Sequence, residues 1–131
     1  MLVQLSEDSI VNTDFIISIE FLHDFCKVKF INGEQLTINC TKDLLKKVEE
    51  YDSRFIFFKN VIFNKNYLKI VKKDDSLSSW THTYIILEFD NPINNNKSTT
   101  HTFNFKYKDK DEMDFDYMLL IGLLTGKDGK F

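Results

Sequence analysis

The chain has 131 residues and a mass of 15.5 kDa, enough to bury a core without metals or cross-links. Its 43% apolar and 28% charged residues, with 13 Phe and 5 Tyr among them, are globular composition and exclude intrinsic disorder. A formal net charge of −3 and a pI near 5.6 remove any global attraction to nucleic acid or an anionic membrane and suit a basic protein partner.

In chain order, residues 1–5 alternate weakly and residues 15–22 are rich in Ile and Phe, so both are expected to be strands, with Asn12, Thr13 and Asp14 turning between them. Val28 and Phe30 alternate with Lys27 and Lys29 over 26–31. Asn32-Gly33 then leads into 35–39, and Asn-Gly between alternating runs is a strong hairpin signal. Thr41 can cap a helix over 42–51, with Leu44, Leu45, Val48 and Tyr51 on one face.

The second half echoes this order. Residues 54–63 read as one strand, and Asn64-Lys65-Asn66-Tyr67-Leu68 answers Asn12-Thr13-Asp14-Phe15-Ile16. Residues 87–91 answer 28–32, residues 103–105 answer 36–38, and longer loops fall at 74–79 and 92–99. A final helix is expected over 111–124, with acidic residues at its positive N-terminal end and Gly126 as a stop. The expectation is therefore an α+β chain of antiparallel β-meander sheets with two helices. It forms one domain over 1–131, built on a duplicated ββββα unit at 1–53 and 54–126.

The stretch IVNTDFIISIE at 10–20 and CKVKFINGEQLTINCTKDLLKKVEEY at 26–51 resembles the small FlbD-type flagellar family. Asn12, Asp14, Ile16, Ile19, Glu20, Asn32, Gly33 and the helix from Lys42 carry the likeness, over about a third of the chain. The resemblance implies the architecture of the first half and, as an alternative function, a flagellar accessory role. Family members are roughly half this length and lack the second unit, so their activity is not transferred.

Catalytic chemistry has little to stand on. His23, His82 and His101 are in no ligand spacing with Cys, Asp or Glu, and Thr81-His82-Thr83 and Thr100-His101-Thr102 read as polar strand ends on two arms of one hairpin. Cys26 and Cys40 lie in β runs, where a free cysteine packs as a small hydrophobe, and the four glycines form no phosphate loop. No enzyme activity, metal or cofactor is expected. Lys59, Lys65, Lys69, Lys72 and Lys73 stand among Phe57, Phe58, Phe63 and Tyr67, a pattern that can hold single-stranded nucleic acid. With one Arg in an acidic chain, a solvated sheet face is the stronger reading and nucleic acid is not the expected partner.

The last helix is the more informative element. Met113, Tyr117, Leu120 and Leu124 recur at core spacing, yet Phe115, Met118, Leu119, Ile121 and Leu123 cover much of the rest. Phe115, Met118, Leu119 and Leu123 are the expected oligomer interface. Asp74, Asp75, Trp80, Asp109, Asp111, Glu112 and Asp114 are the residues expected to meet a protein partner. No apolar run reaches the roughly 20 residues of a membrane span. No signal peptide opens the chain and no disulfide framework is evident, so a cytoplasmic location follows. The absence of Ala, with 16 Lys, 11 Asn and 13 Ile, is the bias of GC-poor codons. Together these features favour a protein-binding module of the inhibitor, immunity or anti-defence type from a phage, plasmid or low-GC bacterium. A flagellar accessory protein and an oligomer that sequesters a small ligand or nucleotide are the alternatives.

Overall fold

The computed structural model describes residues 2–39, 48, 50, 52–74, 83–90 and 101–126. The chain divides into two compact units, Met1–Tyr67 with Asn91–Thr99 and Leu68–Asp90 with Thr100–Phe131.

The first unit opens with a hairpin. Strand β1 (Leu2–Ser6) pairs antiparallel with β2 (Ser9–Asn12), and the Asp8 N–H donates to Ser6 Oγ at 3.3 Å in the turn between them. Strand β2 escapes a sequence reading because it is four residues long with only Ile10 and Val11 apolar, one on each face; Val11 is buried and Ile10 is exposed. Asn12 then accepts the Asp14 N–H at 3.0 Å and starts a 3₁₀ turn at Thr13–Phe15.

Strands β3 (Ile16–Phe21), β4 (Cys26–Phe30) and β5 (Gln35–Ile38) form a meander. Gly33, at φ 91°, sits in the loop between β4 and β5, where only glycine enters that region without a steric penalty. The expected single strand over 54–63 is in fact a hairpin, β6 (Phe55–Phe58) and β7 (Val61–Asn64). Its two-residue turn is Lys59-Asn60. Lys59 takes φ 57° without a glycine to mark it, and the Asn60 side chain donates to the Phe21 carbonyl at 3.0 Å. Strand β7 lies against β3, giving the all-antiparallel order β5-β4-β3-β7-β6.

That pairing corrects the expected boundary at residue 53. β6 and β7 complete the sheet of β3 to β5 instead of opening a second ββββα unit, so the duplication is not the organising feature of the fold. The helix expected over 42–51 falls mostly outside the described residues; Val48 and Glu50 are helical, and Val48 is buried in the core with Leu5, Ile16, Ile19, Val28 and Ile62. Cys26 is fully buried and disulfide-bonded, and the chain's other cysteine, Cys40, lies outside the described residues. The free-cysteine expectation is thus overturned. Because disulfides persist in oxidising surroundings, the cysteines no longer argue for a reduced compartment.

The second unit is a three-stranded antiparallel sheet in the order β10-β9-β8, made of β8 (Leu68–Asp74), β9 (Thr83–Phe89) and β10 (His101–Tyr107). Along β9 and β10 every second side chain is buried: Ile85, Leu87 and Phe89 on one strand, Phe103, Phe105 and Tyr107 on the other. One helix, α1 (Lys110–Thr125), packs on β9 and β10. Among the described residues the fold is therefore α+β, with antiparallel sheets and one complete helix. No helix of the described residues is long and apolar enough to cross a membrane.

Candidate functional site

Helix α1 is started by its own acidic flank. The Asp109 carboxylate accepts the Asp111 N–H at 2.9 Å, and Asp111 and Glu112 stand in the first turn, where the helix dipole favours negative charge. Gly126 ends the helix at φ 117°.

Three contacts set the rotation of α1 on its sheet. Met113 and Leu120 are buried. The Tyr107 hydroxyl donates to Asp116 at 2.8 Å, and burial first, then the Asp116 carboxylate, pushes this phenol well above its ordinary range. Lys73 reaches from β8 to Asp114 at 3.3 Å, with its ammonium 5.0 Å from the Tyr117 ring centroid, while Lys110 pairs with Asp114 at 3.1 Å. The two lysines hold the Asp114 carboxyl below its ordinary value, Lys110 more than Lys73.

With that rotation set, the opposite face looks outward. Phe115, Met118, Leu119 and Leu123 are 64%, 67%, 52% and 49% exposed. At spacings of three, four and eight residues they form one stripe, with Gly122 on the same face near its C-terminal end and Asp111 and Glu112 at its N-terminal end. Contiguous apolar surface of this kind marks an interaction site more often than isolated exposed residues do.

The acidic residues divide by role. Asp109 is spent as a cap and Asp114 is engaged by Lys73 and Lys110, whereas Asp111 and Glu112 enter no ion pair among the described residues. Asp74 closes β8 on the same unit; Asp75 and Trp80 lie outside the described residues.

Other candidates lose their chemistry in three dimensions. Phe58 and Phe63 are buried and Phe57 and Tyr67 half-buried, so Lys59, Lys65, Lys69, Lys72 and Lys73 are not interleaved with open stacking faces. The β9–β10 register sets His101 opposite Phe89 and Thr83 opposite Tyr107. Thr83 and His101 therefore stand at opposite ends of the hairpin; the His101 and Phe103 ring centroids are 4.6 Å apart, and His82 lies outside the described residues. Among the described residues no group of three His, Cys, Asp or Glu could hold a metal ion.

Two features escaped sequence reasoning. Buried Asp52 accepts from Arg54 Nη2 at 2.6 Å and Nε at 2.9 Å and from Thr13 at 3.0 Å, while Arg54 also reaches Asp14 at 2.8 Å. The hydrogen bonds from Arg54 hold the Asp52 carboxyl down to about 2, against the opposing effect of its burial. This cluster ties the segment after the first helical residues to the Thr13–Phe15 turn; every charge in it has a partner, so it is a fastening. That Arg54 is the only arginine was the available signal. The second feature is an open groove of about 510 Å³ lined by Ile10, Phe15, Phe30, Ile31, Asn32 and Glu34. Its polar rim is self-satisfied, since the Asn32 amide donates to Glu34 Oε1 at 2.7 Å and the Glu34 N–H donates back to Asn32 Oδ1 at 2.9 Å.

The chain matches no protein-family model, no curated protein and no solved structure.

Proposed function

We propose that this chain is a non-enzymatic protein-binding module whose working surface is the outer face and first turn of α1. The observation that carries the reading is the exposed stripe of Phe115, Met118, Leu119 and Leu123 on a helix already anchored through its other face. Leaving four large apolar side chains in water forgoes burial of roughly 1.5–3 kcal/mol each, which a covering protein surface restores. Asp111 and Glu112 at the end of the stripe suit a basic rim on the partner and give direction to the encounter. Small size, acidic charge and GC-poor residue usage support the reading that it is an inhibitor, immunity or anti-defence protein of a phage, plasmid or low-GC bacterium.

The test is in-cell crosslinking of the full chain, followed by affinity measurement with whatever protein is recovered. Leu119→Glu should abolish the complex, and Asp111→Lys with Glu112→Lys should weaken it and flatten its salt dependence. A complex indifferent to all three substitutions contradicts the assignment.

A second reading follows the resemblance of residues 10–51 to the FlbD-type family. Asn12 as a turn cap and Gly33 in a hairpin loop are positions on which that likeness rests. A gene neighbourhood of flagellar genes would favour it, and a neighbourhood of mobile-element genes would count against it.

A further inference from the structure

The stripe on α1 carries both a knob and a notch. Phe115 projects into solvent, whereas a Cβ built on Gly122 meets no atom within 4 Å, so the helix surface is open there. Knob and notch lie about 10 Å apart along the axis, at equal distances from the midpoint between Met118 and Leu119. A surface symmetric in this sense complements a copy of itself turned end for end.

We propose that a second copy of the chain covers this stripe, the two α1 helices crossing antiparallel about a two-fold axis between Met118 and Leu119. Each Phe115 then seats over the partner's Gly122, and Met118 of each copy meets the partner's Leu119. The inference rests on the reading of α1 as a protein-binding face and names the occupant. A two-fold contact uses the same patch twice, so one knob and one notch per chain are sufficient. Glycine under the Phe115 ring leaves room for it without pushing the two helices apart.

Charge selects the direction. From Tyr117 to Gly126 the helix carries no charged side chain, while Asp111 and Glu112 cluster at its start. Parallel pairing would set these carboxylates against their own copies. Antiparallel pairing sends them to the uncharged half of the partner's helix and opposes the two helix dipoles. Area sets the strength: the four side chains offer on the order of 400 Å², half the roughly 800 Å² that each partner contributes to a standard interface. The expected dimer is reversible, with a dissociation constant on the order of micromolar.

Sedimentation equilibrium of the full chain from about 1 to about 200 μM tests this. The wild type should pass from monomer to dimer, and Leu119→Glu should stay monomeric throughout. Gly122→Leu fills the notch and should raise the dissociation constant about tenfold or more, while its low-concentration unfolding midpoint holds or rises because leucine is the better helix former. A wild type that is monomeric over the whole range overturns the inference, as does a Gly122→Leu chain that pairs as tightly as the wild type. If that monomer still forms a complex with another protein that Leu119→Glu destroys, only the second copy is excluded and the protein-binding reading survives. If no complex of either kind depends on Leu119, both fall.

Discussion

In the first unit even polar side chains are drawn inside: Thr13, Ser18, Asp52 and Asn64 are all buried. The first unit also exposes Leu2, Ile10 and Phe15, but in the second unit four large apolar side chains of a single helix, α1, stand in water on one face. Both departures cost free energy, and each is answered differently. A buried carboxylate needs partners within the chain, which Arg54 and Thr13 supply. An exposed apolar stripe has no internal answer and is relieved by another surface. The contrast separates residues that fasten the fold from residues that are spare to it.

Substitutions of one residue type in the two settings should expose this separation most strongly. Phe63→Ala, at a fully buried position, should cost about 4 kcal/mol in urea unfolding, whereas Phe115→Ala should change monomer stability by less than about 0.5 kcal/mol. Leu120→Ala against Leu119→Ala repeats the comparison one residue apart, with about 3 kcal/mol against nearly none. Equal effects within either pair would mean that the outer face of α1 is part of the folding core.

The fastening in the first unit gives the next largest effects. Arg54→Ala leaves buried Asp52 without its main donor and should cost about 2 kcal/mol. Asp52 titrates near 2 in the folded chain and near 3.8 when unfolded. The unfolded state therefore binds the proton first on acidification, so this group's stabilisation is fully present above about pH 5 and is lost as pH falls through 2. Its size is about 2 kcal/mol. Urea midpoints between pH 2 and 5 should show a steeper acid loss for the wild type than for Asp52→Asn; parallel curves would remove the network from the account. Among the internal polar contacts the smallest loss expected is that of Tyr107→Phe, about 1 kcal/mol for the lost hydrogen bond to Asp116.

How much of this was legible in sequence depended on the range of the signal. Alternation in 26–30 and the helical spacing after Asp109 are local, and they mark β4 and α1 directly, while the echo of 28–32 in 87–91 marks the end of β9. The four exposed residues of the stripe could be named because α1 carries more apolar residues than one core face accommodates. What stayed hidden was short or nonlocal. Strand β2 is too short to alternate visibly, and the Lys59-Asn60 turn has no glycine. The pairing of β7 with β3 links Glu20 to Val61 across most of the first unit. The Asp52–Arg54–Thr13 cluster likewise joins positions 39 residues apart. Gly122 looks like a weak point in a helix until its place in the stripe is known.

The most direct test of the account is the concentration dependence of the thermal unfolding midpoint, compared between wild type and Leu119→Glu. The wild-type midpoint should climb with protein concentration and the Leu119→Glu midpoint should not, the two converging on dilution because the native monomer does not need this residue. A Leu119→Glu midpoint several degrees below a concentration-independent wild type would contradict it, by showing that the outer face of α1 serves folding and not association.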